Sequence, residues 1–77
     1  MERYKNIAGD SPVAGFEIGA DFIVVQFKTG MKYRYSYAAT GHFEVEKLKS
    51  LANEGKGLAT YLRENRDVSR GFESKFF

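Results

Sequence analysis

Apolar and polar residues alternate along three segments in the first half of the chain, and a period of two is typical of β-strands. In the first segment, Val13–Ile18, the side chains of Phe16 and Ile18 fall on the same side. The second, Phe22–Phe27, is rich in β-branched and aromatic residues. The third, Met31–Tyr37, alternates without interruption after a short loop that ends in glycine. The short connections predict an antiparallel meander of three strands.

The period then changes to that of a helix. Thr40 is a suitable N-cap for a helix over about Gly41–Glu54. Gly55-Lys56-Gly57 ends this helix, because glycine accepts the left-handed cap conformation. A shorter helix is expected over about Leu58–Asn65. The apolar stripe of the first helix consists of Val45, Leu48, Leu51 and Ala52.

The two ends of the chain are harder to assign. Residues 1–12 are expected to be irregular, because Gly9-Asp10-Ser11-Pro12 is a turn signal. Residues 66–77 form a tail with two alternatives. It extends the second helix, or it is an ordered coil that Phe72, Phe76 and Phe77 hold against the core.

These elements predict a single α+β domain, in which a three-stranded antiparallel meander is packed on one face by two C-terminal helices. The covered face is expected to carry Phe16, Ile18, Ile23, Val25, Phe27, Tyr33 and Tyr35. The open face is expected to carry Phe22, Val24, Gln26, Lys32 and Arg34.

The hairpin resembles a known family. Residues 25–35 read VQFKTGMKYRY, which is similar to the V-x-F-x-x-G-x-x-Y-x-Y core of the KTSC domain, a segment also found at the C-terminus of some lysyl-tRNA synthetases. Residues 51–57 read LANEGKG and are followed by Tyr61 and Leu62. They resemble the small residues and glycine that precede that family's last helix. Ala38-Ala39 and Ser11-Pro12 depart from the family's proline and paired serines. The resemblance implies a small α+β module associated with tRNA or another nucleic acid.

Composition narrows the function classes. The 77 residues include no cysteine, which excludes disulfides and thiolate metal sites. The longest apolar run, Phe22 to Val25, is far too short to span a bilayer, and the N-terminus lacks the apolar core of a signal peptide. We therefore expect a cytoplasmic protein with no membrane partner.

Catalytic chemistry has little support in the sequence. The only histidine is His42, at the start of a helix, where a protonated imidazole is disfavoured. Glu44 and Glu46 are two residues apart and point away from each other on a helix. We therefore expect no enzyme, no metal site and no cofactor.

The basic residues support a nucleic-acid hypothesis, with RNA as the ligand. Lys28, Lys32 and Arg34 lie on one hairpin, and Arg63 and Arg66 form a second stripe if the last helix continues. The alternative is an ordinary solvated surface, because acidic residues interleave the arginines. Two aromatic residues are candidates for stacking on bases, Phe22 and Tyr37.

The second hypothesis is a module that binds another protein or a second copy of itself. It uses the apolar part of the open sheet face, or a free strand edge, together with the aromatic tail. The expected contact residues are Phe22, Val24, Phe72 and Phe76.

Overall fold

The computed structural model describes residues 1–77 and confirms a small α+β fold. The strands are β1 (Glu2–Arg3), β2 (Val13–Ile18), β3 (Phe22–Phe27), β4 (Lys32–Ser36) and β5 (Ser74–Phe76). The helices are α1 (Tyr37–Thr40), α2 (His42–Glu54), α3 (Leu58–Glu64) and α4 (Arg66–Arg70).

The sheet has five antiparallel strands in the order β1-β2-β3-β4-β5. The three predicted strands form its centre, so the meander is present but incomplete. The prediction of three strands and two helices misses both edge strands and two short helices. β5 returns to the sheet after all four helices and pairs with β4, with Phe76 opposite Lys32.

A bulge in β2 changes which of its side chains face the helices. The register pairs Val13 with Phe27 and then shifts by one residue before Gly15. A bulge of this kind moves a strand's side chains across the sheet, so Val13 and Phe16 both belong to the core, although simple alternation predicts opposite sides for them. The prediction for Ile18 is also wrong, because it lies at the strand end and is 39% exposed.

The helices cover one face of the sheet, as predicted, and the core lies between the two layers. Burial of each large apolar side chain there contributes about 1.5–3 kcal/mol. The buried residues from the sheet include Phe16, Ile23, Val25 and Tyr35, and those from the helices are Val45, Leu48, Ala52, Leu58, Leu62 and Val68.

The N-terminal segment is ordered, contrary to the prediction for residues 1–12. β1 pairs with β2, and the ring of Tyr4 is buried in the core. The Tyr4 hydroxyl accepts a hydrogen bond from the backbone N–H of Leu58 at 3.4 Å. Tyr4 thereby provides an acceptor for an otherwise unpaired backbone N–H at the start of α3, where Gly57 supplies no side-chain cap.

The passage from β4 into the helices also differs from the prediction. Ser36 ends the strand and caps α1, since its Oγ accepts a hydrogen bond from Ala39 N at 3.2 Å. Tyr37 is therefore the first residue of a helix and not the last of a strand. Thr40 is not the N-cap of α2, which is Gly41. The Thr40 hydroxyl instead donates to the carbonyl of Gly71 at 2.6 Å.

The tail follows neither of the two alternatives. α3 ends at Glu64, and Asn65 takes a non-helical conformation with φ −120° and ψ 74°. A separate short helix, α4, then leads into β5. This path brings Phe72 back to the sheet, where it is half-buried, and leaves Phe77 80% exposed.

Candidate functional site

The cations of the hairpin do not share one surface. Lys32 and Arg34 lie on the open face of the sheet, whereas Lys28 follows β3 and lines a cleft on the helix side. Arg34 is already engaged, because its Nε lies 3.2 Å from a carboxylate oxygen of Glu73 and its guanidinium stacks 3.8 Å from the ring centroid of Phe22. Of the three predicted phosphate contacts, Arg34 is thus the least available.

The open face offers no apolar patch of the predicted kind. Val24 is only 5% exposed, although no helix covers this face. It lies in the centre of the sheet between Glu17 and Arg34, whose long side chains flank it. The prediction of Val24 as an exposed contact residue is wrong, and Phe22 is partly covered by Arg34.

The predicted arginine stripe does not form, because the helix breaks at Asn65. Arg63 lines a small cleft of about 130 Å³ together with Asp10. Arg66 is exposed on α4 and lines none of the clefts. These two residues therefore belong to different helices, and neither lines a cleft together with Lys28.

Tyr37 is also held in place by neighbours. Its hydroxyl donates to Glu46 Oε2 at 2.6 Å, and the same carboxylate oxygen lies 2.9 Å from Lys49 Nζ. The hydrogen bond raises the pKa of Tyr37 and lowers the pKa of Glu46. The ring packs against His42 with centroids 4.4 Å apart, so Tyr37 belongs to a local network around α2.

A cleft of about 450 Å³ opens between the β3–β4 hairpin and α4. We call it the aromatic groove. Its apolar lining comes from Pro12, Phe27, Met31, Tyr33, Tyr35 and Phe72.

The rings of the aromatic groove meet edge to face. Phe27 and Tyr33 have centroids 5.5 Å apart at an interplanar angle of 89°, and Tyr33 and Phe72 are 5.1 Å apart at 77°. Such T-shaped pairs contribute about 0.5–1.5 kcal/mol each beyond the area that they bury. The three rings thus support one another and form an apolar wall of the aromatic groove.

The charged residues that line the aromatic groove are both cations. Lys28 and Arg70 line it, and no aspartate or glutamate does. A third cation lies beside it, because Lys75 Nζ is 6.0 Å from the ring centroid of Phe72. Neither ion pair of the protein involves these three residues. The aromatic groove therefore suits a ligand that joins a planar apolar part to negative charge.

The deep end of the aromatic groove is fixed by Tyr35. Its hydroxyl donates to the backbone carbonyl of Ser69 at 3.1 Å and so ties β4 to α4. Burial raises the pKa of Tyr35 to about 12. The hydroxyl is thus harder to ionise than that of an exposed tyrosine and stays a donor to Ser69.

Sequence reasoning identified Lys28 but not its neighbours in the aromatic groove. By its spacing Arg70 continues the predicted helical stripe of Arg63 and Arg66, and the sequence leaves Phe72 either as an exposed partner contact or as a ring folded back on the core. The structure packs Phe72 on Tyr33 and against the core, which agrees with the second alternative and not with the first. Alternation places Phe27, Tyr33 and Tyr35 on the covered face of the sheet, but the apolar Phe72 in the tail indicates burial without indicating where.

The wider comparisons add no assignment. No family model, curated protein or solved structure matches this chain. No helix has the length and apolar character needed to cross a bilayer. No three residues among histidine, aspartate and glutamate cluster in a way that would hold a metal ion. The candidate site therefore depends on the geometry of the aromatic groove alone.

Proposed function

We propose that this protein is a non-catalytic module that binds single-stranded RNA in the aromatic groove. The observation that carries the proposal is an aromatic groove whose only charged lining residues are the cations Lys28 and Arg70. Nucleic acids combine the two matching features, a flat base and an anionic backbone, in every nucleotide.

The rings account for base binding. Stacking of a base on an aromatic side chain contributes about 1–3 kcal/mol and tolerates any base, because every base has a π-face. Tyr33 and Phe72 both line the aromatic groove, and Met31 adds an adaptable apolar contact. Only an unpaired base can enter such a site, since a duplex keeps its bases stacked on one another.

The cations account for backbone binding. Lys28 and Arg70 come from opposite sides, one from the hairpin and one from the end of α4. Each can hold a phosphate and release counterions from the nucleic acid. Because no carboxylate lines the aromatic groove, no negative side chain there repels a phosphate.

Two observations favour RNA over DNA. Thr29 and Ser69 line the aromatic groove, and side-chain hydroxyls can hydrogen-bond the ribose 2′-OH, which distinguishes RNA from DNA. The resemblance of residues 25–35 to the KTSC domain also supports an RNA partner through the synthetase connection.

The test is fluorescence anisotropy at low salt with a labelled single-stranded RNA of mixed sequence. We expect Lys28→Glu and Arg70→Glu each to weaken binding by about tenfold. Lys47→Glu is the control, because it reverses the same charge on α2 and lines no cleft. Single-stranded DNA and duplex RNA of the same sequence should bind more weakly. Absence of binding by the unaltered protein, or an equal loss with Lys47→Glu, would refute the proposal.

One observation favours a second candidate function, self-association through β5. This strand forms a free sheet edge that ends at Phe76, and Phe77 follows it; the two residues are 43% and 80% exposed. An uncovered edge with apolar residues can pair with the same edge of a second copy. Sedimentation equilibrium should then show a dimer that is lost on deletion of Ser74–Phe77. A monomer at all concentrations would rule this candidate out.

A further inference from the structure

A second cleft adjoins the aromatic groove and shares Lys28 with it. This N-terminal cleft has a volume of about 310 Å³. Its lining residues are Arg3, Tyr4, Lys5, Asn6, Val13, Ala14 and Lys28. Three of them are cations and none is an acid, so the positive charge of the aromatic groove continues into this cleft.

The three cations come from separate parts of the chain. Arg3 belongs to β1 and pairs with Gly15. Lys5 follows this strand, and its side chain packs closely over Gly55. Lys28 is fixed through its backbone N–H, which donates to the carbonyl of Pro12 at 2.8 Å. The fold therefore brings together three cations that are not neighbours in the sequence.

None of these cations has a partner of opposite charge in the structure. The two ion pairs of the protein, Arg34 with Glu73 and Lys49 with Glu46, lie elsewhere. Like charges that line one cleft repel one another and raise the local positive potential. A bound anion relieves this repulsion, and a chain of anions relieves it along the whole surface.

We propose that the N-terminal cleft holds the backbone phosphates next to the nucleotide whose base occupies the aromatic groove. The inference rests on the proposed function and specifies the ligand further. The nucleic acid crosses Lys28 from one cleft to the other, so the preferred ligand is a strand of several nucleotides and not a free nucleotide. Arg3 and Lys5 contact phosphates only, so they add affinity without base preference.

The test compares a mononucleotide with a hexanucleotide of the same base. For the unaltered protein we expect a large gain in affinity from the shorter to the longer ligand. In the double variant Arg3→Gln/Lys5→Gln this gain should fall by about tenfold. The matched control is Lys47→Gln/Arg66→Gln, which removes the same charge from residues that line neither cleft.

Folding of each variant is checked by its thermal unfolding midpoint. Lys5→Gln alone replaces the double variant if β1 proves sensitive to the loss of Arg3, and it should show a smaller reduction of the same gain. The inference would be overturned if the affinity gain from mononucleotide to hexanucleotide were the same in the unaltered protein, in Arg3→Gln/Lys5→Gln and in Lys5→Gln. If RNA binding still depended on Arg70 in that case, the proposed function would remain intact. If neither ligand binds, both proposals are refuted.

Discussion

The hydroxyl of Tyr35 joins β4 to α4 at the deep end of the aromatic groove. Because this hydroxyl is buried, we expect the free energy of unfolding to decrease at alkaline pH. Burial raises the pKa of Tyr35 from 10.0 to about 12 in the folded protein. The folded state therefore retains this proton after the unfolded state has lost it. The stabilisation is fully present below pH 10 and decreases as the pH rises towards 12.

The variant Tyr35→Phe tests this assignment. Urea unfolding as a function of pH should give a free energy of unfolding that falls less steeply above pH 10 in the variant than in the unaltered protein. At neutral pH the variant should lose about 1 kcal/mol, because the Ser69 carbonyl loses its donor. Parallel pH profiles for the two proteins would contradict the assignment.

Gly55 combines two constraints at the end of α2. Its φ of +77° favours glycine, and a Cβ at this position would lie 2.5 Å from Lys5 Cβ. Gly9 has a similar φ of +88° but no atom within 4 Å of the same point. We expect Gly9→Ala to cost about 1 kcal/mol, from the backbone conformation alone. Gly55→Ala should cost more than about 2 kcal/mol, because overpacking adds to it.

Urea denaturation of both glycine variants separates the two effects. The additional loss in Gly55→Ala measures the contact with Lys5, and Lys5→Gly should recover part of it by removing the clashing Cβ. Equal losses in the two variants would show that the backbone conformation alone requires glycine at this cap.

At the level of elements, the sequence predicts best what local patterns encode. The β3–β4 hairpin and helix α2 follow from a period of two and a period of about 3.6. β1 has only two residues, too few for any period to appear. β5 pairs with β4 from the far end of the chain, and local alternation carries no information about such a partner. Tyr37 continues the alternation but starts a helix, because the Ser36 cap ends the strand.

The same reasoning explains which parts of the candidate site were missed. Lys28 follows a predicted hairpin strand, so its place at the hairpin turn could be predicted. Arg70 and Phe72 reach the aromatic groove only because helix α3 ends before Asn65 and the chain turns back. Arg34 was predicted to bind phosphate, but it pairs with Glu73. Glu73 lies beside it because the next residues form the unpredicted strand β5 along β4. These outcomes depend on tertiary contacts, which override local propensity.

We expect the strand β5 to contribute little to the free energy of unfolding. All its residues are exposed and none belongs to the core. We expect deletion of Ser74–Phe77 to lower the free energy of unfolding by less than about 2 kcal/mol. Phe72→Ala should cost more than the deletion, because it removes a ring that packs against the core. Urea denaturation measures both losses, and the opposite order would mean that β5 holds the tail in place.

For the molecule as a whole, the distribution of charge matters more than its sum. The net charge of +2 is small, and a value of this size does not by itself attract a polyanion strongly. The aromatic groove and the N-terminal cleft, however, adjoin at Lys28 and are lined by no carboxylate. A local positive potential of this kind directs an anion to the two clefts, while the rest of the chain carries fewer basic than acidic residues.

The salt dependence of RNA binding tests this distribution of charge directly. Four cations line the two clefts, Arg3, Lys5, Lys28 and Arg70. If each holds one phosphate, the logarithm of the binding constant should fall with the logarithm of salt concentration with a slope of about −3 for a single strand. Lys28→Gln should reduce the size of this slope by about 0.7, because one counterion contact is lost. Lys47→Gln removes the same charge outside the clefts and should leave the slope unchanged. A slope near zero for the unaltered protein would mean that the ligand is held by its apolar part and that the four cations do not contact phosphates.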